Sequence, residues 1–466
     1  MRWLDSTRGA SSLACAYCGT TAALPHAASF LYYDREFHLH RCLSCESYIY
    51  DFAGERPPGD DKVPIEEHKI GLKYYFEAGY SAEFIVRCAL AALPQSNSAR
   101  LSDYNFFDVG AGTGLGSYFV RKLFSMGGLA IEPSWTGQAA KELFQIDLEQ
   151  KYFEEVDAGL LRRIGQKPCL VYLNSVVEHI GDPRKLLDQL LGTIDVMTVA
   201  ALVPDAEWID RSAPFLSMVP FLAPGDHLHL PSKEGMRRLL ADIGLPHQSV
   251  YSMGSLIMAV GSKDPVIRPS EMFLGVATSL LLERLLDHPH PHVSRGAAAR
   301  LLPKAVMDRD LARVDGLKRK LQIASPADLI AAIENRSWYD IPFHTASVSY
   351  WLAVDEFLNL RFEDALTFLG PIKPFCRRLA RDYPQYALEA LIYKWEAEFH
   401  QAQIFLRDGR PDEAQAIFAS IIASAKDAKE GAPRTMVERA ETALRAIAAD
   451  SASRTDTVPI ACSVGA

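Results

Sequence analysis

Long hydrophobic runs are missing from this sequence. The longest apolar stretches, Val196–Val203 and Leu256–Val260, fall far short of the roughly 18 residues that a membrane-spanning helix needs. Positive charge is not in excess either. The 49 Lys plus Arg are outnumbered by 58 Asp plus Glu, a formal net charge of −9, so no global basic field draws nucleic acid or anionic lipid. The opening residues, Met1-Arg-Trp-Leu-Asp-Ser-Thr-Arg, lack the apolar run of about 7–15 residues that an export signal uses. Cys462 stands one place too far from the end for prenylation. These absences set the expectation of a cytoplasmic protein with no membrane insertion. Cysteine is scarce, eight in 466 residues, and it is unevenly placed. Cys88, Cys169, Cys376 and Cys462 stand alone and read as small apolar residues. The other four form Cys15-x-x-Cys18 and Cys42-x-x-Cys45. Without an export signal, such pairs read as metal ligands before disulfides.

The chain is 48% hydrophobic and 23% charged, enough apolar content for a sizeable core, and its length predicts two to three domains at about 100–200 residues each. Residues 1–56 are short, aromatic and cysteine-bearing, and they close on the turn-rich linker Arg56-Pro-Pro-Gly-Asp-Asp. Residues 65–263 alternate apolar runs with amphipathic stretches. Phe106–Val109, Leu129–Glu132, Cys169–Leu173, Val196–Val203, Gln248–Ser252 and Leu256–Val260 read as strands, and Lys185–Leu191 and Lys233–Ile243 as helices. That alternation predicts an α/β domain with a mainly parallel sheet. Residues 268–450 are helical in period throughout, and 451–466 read as a flexible tail. Phe357-Leu-Asn-Leu-Arg-Phe-Glu-Asp-Ala aligns with Phe405-Leu-Arg-Asp-Gly-Arg-Pro-Asp-Glu-Ala once one residue is inserted in the turn. Paired helices joined in this way suggest tetratricopeptide-like hairpins, and an irregular bundle is the equal alternative.

Chemistry concentrates in Asn105-Phe-Phe-Asp-Val-Gly-Ala-Gly-Thr-Gly-Leu-Gly-Ser117. A hydrophobic strand ends at Asp108, passes through Gly110, Gly112 and Gly114, and opens a helix. Glycines there let the backbone turn sharply and let a ligand approach the N–H groups of the helix start. Twenty residues after Gly112, the next strand ends in Glu132, an acid placed for a ribose diol. The loop has neither the spacing of most dinucleotide sites nor the Gly-Lys-Ser/Thr of a phosphate loop. Asp108 would repel a pyrophosphate but suits the sulfonium and ammonium of S-adenosylmethionine.

These residues resemble class I S-adenosylmethionine-dependent methyltransferases. Phe107-Asp-Val-Gly-Ala-Gly-Thr-Gly resembles their first motif and Leu129-Ala-Ile-Glu-Pro their second-strand motif. Val171-Tyr-Leu-Asn-Ser-Val-Val-Glu-His-Ile-Gly-Asp-Pro183 resembles the fourth-strand motif, and the segment from His227 resembles the one after strand five. The resemblance covers residues 100–263 and implies a Rossmann-like core. It places Gly110, Gly112 and Gly114 round the methionine moiety, with Asp108 in support and Glu132 on the ribose. Glu154 or Glu155 is the candidate for the adenine, and Asn174 joins the cofactor-binding set from the end of strand four. Glu178 and His179 serve either the site or the cap of the following helix.

The two CxxC pairs can each present two thiolates, and a closed four-thiolate set with Cys15, Cys18, Cys42 and Cys45 suits a structural Zn2+. His38 and His40 in the intervening strand read as exposed. A zinc ribbon ahead of a methyltransferase core resembles the arrangement in sugar C-methyltransferases and related enzymes. There the resemblance implies His227 as general base, with Asp226 orienting it and His229 as substitute. Pro224 replaces a tyrosine of that family, and a helical region replaces its C-terminal lobe.

The expectation is therefore a methyltransferase using S-adenosylmethionine and structural zinc on a small-molecule or glycan acceptor, by O- or C-methylation. A protein partner along the C-terminal helices is a further expectation. Two alternatives stand beside it: an RNA methyltransferase guided by the zinc ribbon, and a non-catalytic helical-repeat scaffold with a degenerate core. The acidic balance weighs against RNA.

Overall fold

The computed structural model describes residues 2–3, 13–22, 24–32, 35–51, 68–94, 100–209, 215–323, 325–383, 386–424 and 434–452. The expected linker at 56–61 and all but the first two residues of the expected tail lie outside them. The chain divides into two units, Met1–Phe76 with Tyr80–Ser294, and Glu77–Gly79 with Arg295–Ala466.

Twelve strands occur among the described residues, all in the first unit. They are β1 (Arg2–Trp3), β2 (His26–Tyr32), β3 (Arg35–Arg41), β4 (Tyr48–Asp51), β5 (Asn105–Val109), β6 (Gly128–Ile131), β7 (Leu148–Glu149), β8 (Cys169–Asn174), β9 (Val196–Pro204), β10 (His229–Leu230), β11 (His247–Met253) and β12 (Leu256–Ser262). Its helices are α1 (Lys69–Tyr74), α2 (Ala82–Ala92), α3 (Leu115–Phe124), α4 (Trp135–Phe144), α5 (Ala158–Ile164), α6 (Pro183–Thr193), α7 (Phe215–Leu222), α8 (Lys233–Asp242) and α9 (Glu271–Leu286), with α10 (Pro291–Met307) crossing into the second unit.

Seven strands form one sheet in the order β11-β12-β9-β8-β5-β6-β7. β12 alone is antiparallel, to β9 on one side and β11 on the other, so the other six run parallel. Strands buried on both faces carry continuous apolar runs, as in the Cys169–Leu173 stretch of β8. Helices begin where side chains can satisfy their first N–H groups. Ser134, Asp157, Asp182 and Ser232 cap α4, α5, α6 and α8 in this way. The chain leaves β5 toward β6 and β7 on one side and later fills β8 and β9 on the other. The order therefore reverses between β5 and β8, and their carboxyl ends flank the crevice where such sheets bind ligands.

The cysteine-bearing segment forms a second, antiparallel sheet in the order β1-β2-β3-β4-β10, whose last strand comes from beyond α7. Cys15, Tyr17, Cys42, Cys45 and Ile49 share one buried cluster with β8, β9 and α8. Arg184 donates to the Tyr17 carbonyl at 2.7 Å, and Ser47 bonds Ser232. Gly235 makes the contact feasible, because a Cβ there would sit 2.4 Å from the Ser47 Oγ. The segment therefore folds onto the α/β core within the same unit, which is how so short a stretch finds a hydrophobic partner.

The second unit continues with α11 (Leu311–Leu321), α12 (Pro326–Asn335), α13 (Thr345–Leu358), α14 (Phe362–Leu369), α15 (Ile372–Asp382), α16 (Ala387–Arg407), α17 (Pro411–Ser424) and α18 (Arg434–Ala452). The α13–α14 and α16–α17 turns are built alike. Leu360 and Gly409 both adopt positive φ, 61° and 72°. Arg361 N–H returns to the Glu356 carbonyl at 2.9 Å, and Arg410 N–H to the Phe405 carbonyl at 2.8 Å, the bonding of a left-handed helix stop. Leu360 thus matches Gly409, Arg361 matches Arg410 and buried Ala365 matches buried Ala414 with nothing inserted. The insertion expected inside the turn is absent, and Phe357 corresponds to Leu406 instead of Phe405.

Candidate functional site

The loop after β5 uses its glycines for different reasons. All three have positive φ, 68° at Gly110, 54° at Gly112 and 76° at Gly114. A Cβ on Gly110 would lie 2.5 Å from Val176, and one on Gly114 would lie 2.9 Å from Ala140. A Cβ on Gly112 would meet nothing within 4 Å. Gly110 and Gly114 are thus packing positions, and Gly112 is where the backbone faces open space.

Two carboxylates brace this loop. Asp108, fully buried, accepts from Ser117 N–H at 3.1 Å and Ser117 Oγ at 2.8 Å. It thereby supplies α3 with the hydrogen-bond acceptor its uncapped first turn lacks. Its other oxygen, Oδ1, has no hydrogen-bond partner. Burial, aided by the Glu132 charge, raises the Asp108 carboxyl to about 7 despite the Ser117 bonds. Glu132 accepts from Gly112 N–H and Ser134 N–H, each at 2.9 Å, tying the loop to the start of α4. Each oxygen keeps a second lone pair. Thr113 Oγ1 and Asn174 Oδ1 are also buried without partners, so orphaned polar atoms mark both segments that flank the switch point, as happens where a ligand is bound. Glu154 is exposed on the short turn after β7.

Beyond β8 the chain turns through Ser175 at φ 57° into a single helical turn, Val177–His179. Glu178 is 1% exposed, and its Oε2 has no hydrogen-bond partner. Burial raises its carboxyl to about 8. His179 Nδ1 donates to the Asp226 carbonyl at 2.9 Å, and His227 Nδ1 donates to the Phe221 carbonyl at 2.8 Å. The two rings meet edge to face, centroids 4.8 Å apart.

The expected roles of Asp226 and His229 change here. The Phe221 carbonyl, and not Asp226, orients His227, while Asp226 holds His179 through its main chain. His229 has both nitrogens occupied: Nε2 donates to the Ile180 carbonyl at 2.6 Å, and Nδ1 accepts from the Tyr17 hydroxyl at 2.5 Å. That leaves it no lone pair for a substrate, and it joins the cysteine segment to the chain just past His179. His227 is buried, and burial lowers its imidazole to about 3, so it is neutral at pH 7 and a weak base. Tyr17 and Ser117 were not singled out by the sequence; the only available signal was their position, inside a CxxC pair and in a helix's first turn.

Cys15, Cys18, Cys42 and Cys45 come together with all four Sγ within 4.8 Å of one another. Cys15–Cys45 is 3.5 Å and Cys18–Cys42 is 3.6 Å, against about 3.8 Å between sulfurs on a tetrahedral zinc with bonds of about 2.3 Å. The two knuckles share one backbone pattern. Cys15 N–H bonds the Thr20 carbonyl and Cys42 N–H the Ser47 carbonyl, at 2.9 and 2.8 Å. Gly19 and Glu46 occupy matching positions at φ 67° and 66°. Four cysteine sulfurs this close together form a donor set compatible with zinc. His40, expected to be exposed, is buried and bonds the Leu24 carbonyl at 3.1 Å.

No family model and no curated protein matches this chain. Solved structures similar to it include an O-methyltransferase family protein from Burkholderia thailandensis, at 14% identity and TM-score 0.31. That match covers 43% of this chain and 61% of the other. The N-terminal domain of EvdMO1 with SAH bound matches at 11% identity and TM-score 0.31, covering 44% of this chain and 99% of that domain. A SAM-dependent methyltransferase from Anabaena variabilis matches at 14% identity and TM-score 0.27, over 46% and 98%. Likeness at this level assigns the chain neither a family nor an activity.

Proposed function

We propose that this protein is an S-adenosylmethionine-dependent methyltransferase acting on a small-molecule or glycan acceptor. The observation that carries the reading is Gly112, a positive-φ glycine facing open space at the sheet's switch point, with its N–H held by a carboxylate. The loop from Gly110 to Gly114 would receive the methionine moiety, and Asp108 and Glu132 would give that end of the crevice the negative charge a cationic ligand favours. Glu132 would meet the ribose with its remaining lone pairs, Asn174 would line the crevice from β8, and Glu154 is the acid assigned to the adenine side. When bound, S-adenosylmethionine supplies the methyl group. The chain's part is to orient donor and acceptor, and the acceptor side falls to Glu178, His179 and His227. We further assign Cys15, Cys18, Cys42 and Cys45 to one structural Zn2+ that fastens the N-terminal segment to the core. Calorimetry with S-adenosylmethionine tests the cofactor reading: saturable binding supports it, and no detectable binding to the folded full chain refutes it.

A further inference from the structure

The cluster at the β8 turn has the donor set of a second metal site. Glu178, His179 and His227 each offer one ligand atom, all within 4.8 Å of one another. Because a carbonyl only accepts, the bonds from His179 Nδ1 to Asp226 and from His227 Nδ1 to Phe221 fix both rings with the lone pair on Nε2. Imidazoles that bind metals are oriented in this way, the second nitrogen donating to a carbonyl or carboxylate. The third ligand is Glu178, whose Oε2 is buried with no hydrogen-bond partner. An acid so enclosed stays protonated unless a cation or donor meets its carboxylate form. The three ligand atoms lie within 4.8 Å of one another, against roughly 3 Å between donors on one ion with bonds of about 2.0–2.2 Å.

We propose that Glu178, His179 and His227 bind one divalent first-row transition ion, with coordination positions left for an oxygen of the acceptor. Two imidazoles and one carboxylate suit Zn2+, Mn2+, Fe2+ or Co2+, and three protein ligands leave positions open. Magnesium and calcium, which take all-oxygen shells, fit the two nitrogens poorly. His227 is then a metal ligand, and an acceptor hydroxyl is polarised by the ion. The site also differs from the four-cysteine set in kind: harder donors and an open shell here, soft thiolates and a closed shell there. The acceptor role rests on the methyltransferase reading, whereas binding of the ion does not.

The test uses the full chain supplied with a single equivalent of zinc, which the four thiolates take first, titrated with Mn2+ and followed by the electron paramagnetic resonance of unbound ion. The expected result is one Mn2+ per chain, with affinity reduced at least about 100-fold in Glu178→Gln and His227→Ala, while zinc content stays at one. Thermal melts confirm that each variant is folded. His179→Ala, at a half-buried position, carries the test if the buried substitutions unfold. Absence of saturable Mn2+ binding, or equal binding by wild type and folded variants, overturns the proposal. Calorimetry with S-adenosylmethionine on the wild type separates the two readings. Mn2+ bound without S-adenosylmethionine supports the ion site and sinks the methyltransferase reading, and the reverse sinks the ion site alone.

Discussion

The two turns that leave the sheet on either side of its switch point are built differently. After β5, three of the four oxygens of Asp108 and Glu132 are committed to the protein's own N–H and hydroxyl groups. After β8, Glu178 Oε2 and Asn174 Oδ1 are buried without partners. The first turn is thus braced before any ligand arrives by local glycine geometry and helix-start bonds, although Asp108 Oδ1 and Thr113 Oγ1 there are also without partners. The second turn is held through its main chain, by His179 on the Asp226 carbonyl and by the His229–Tyr17 link, while Glu178 Oε2 and Asn174 Oδ1 are left without partners. One side of the crevice is a glycine loop whose two acids mostly bond the protein itself, and the other carries a buried acid whose Oε2 bonds nothing.

Loss of the cysteine site should break this contrast most severely. Three of its thiols lie in the same buried cluster as β8, and structural zinc contributes several kcal/mol of folding free energy. Chelation or Cys42→Ser is expected to lower the melting temperature by about 10 °C or more. By hydrogen exchange, the β8 turn should open before the β5 loop does. Next in size, Gly110→Ala should destabilise the fold by about 2–4 kcal/mol, since its methyl collides with Val176. Gly112→Ala should cost only about 1 kcal/mol of backbone strain yet remove most S-adenosylmethionine binding, because its methyl occupies the space facing the loop. Urea titrations and calorimetry separate the two.

Asp108 sharpens the comparison through pH. Its folded carboxyl is raised to about 7 by burial, above its ordinary value of about 3.9. Folding therefore favours the neutral form. The stability this contributes is full below about pH 4 and is lost as pH rises through about 7. Wild type should lose stability relative to Asp108→Asn between pH 5 and 7, at up to about 1.4 kcal/mol per pH unit, and the difference should level off above. A flat difference across that range would contradict the assignment. A small and local effect belongs to Tyr17→Phe, which deletes the hydroxyl bonded to His229. About 1–2 kcal/mol of stability should go, with protection falling at Ile180 and not at Gly112 in hydrogen exchange.

This asymmetry also explains what the sequence could convey. The parallel strands and the glycine loop were legible because continuous apolar runs, positive-φ glycines and a strand-end acid are local requirements. The cysteine knuckles were legible for the same reason, although Glu46 performs at φ 66° what Gly19 does at 67° and carries no glycine signal. His227 and His229 stand two residues apart, and nothing in the sequence separates them. Their fates differ because β10, a strand of only two residues, pairs with β4 and brings His229 to Tyr17. Asp226 was legible as a neighbour of His227, but the turn directs its carbonyl to His179. The turn between α13 and α14 was misaligned by one residue because Leu360, unlike Gly409, does not advertise a left-handed backbone.

The central claim is that the braced turn after β5 binds S-adenosylmethionine through Gly112 and its Glu132 brace. Calorimetric titration of the full chain, beside Gly112→Ala and Glu132→Ala, tests it directly. The account predicts saturable one-to-one binding by the wild type, weakened at least about 100-fold in both variants, with Gly112→Ala still folded. Absence of binding by the wild type, or binding that both substitutions leave unchanged, would contradict it.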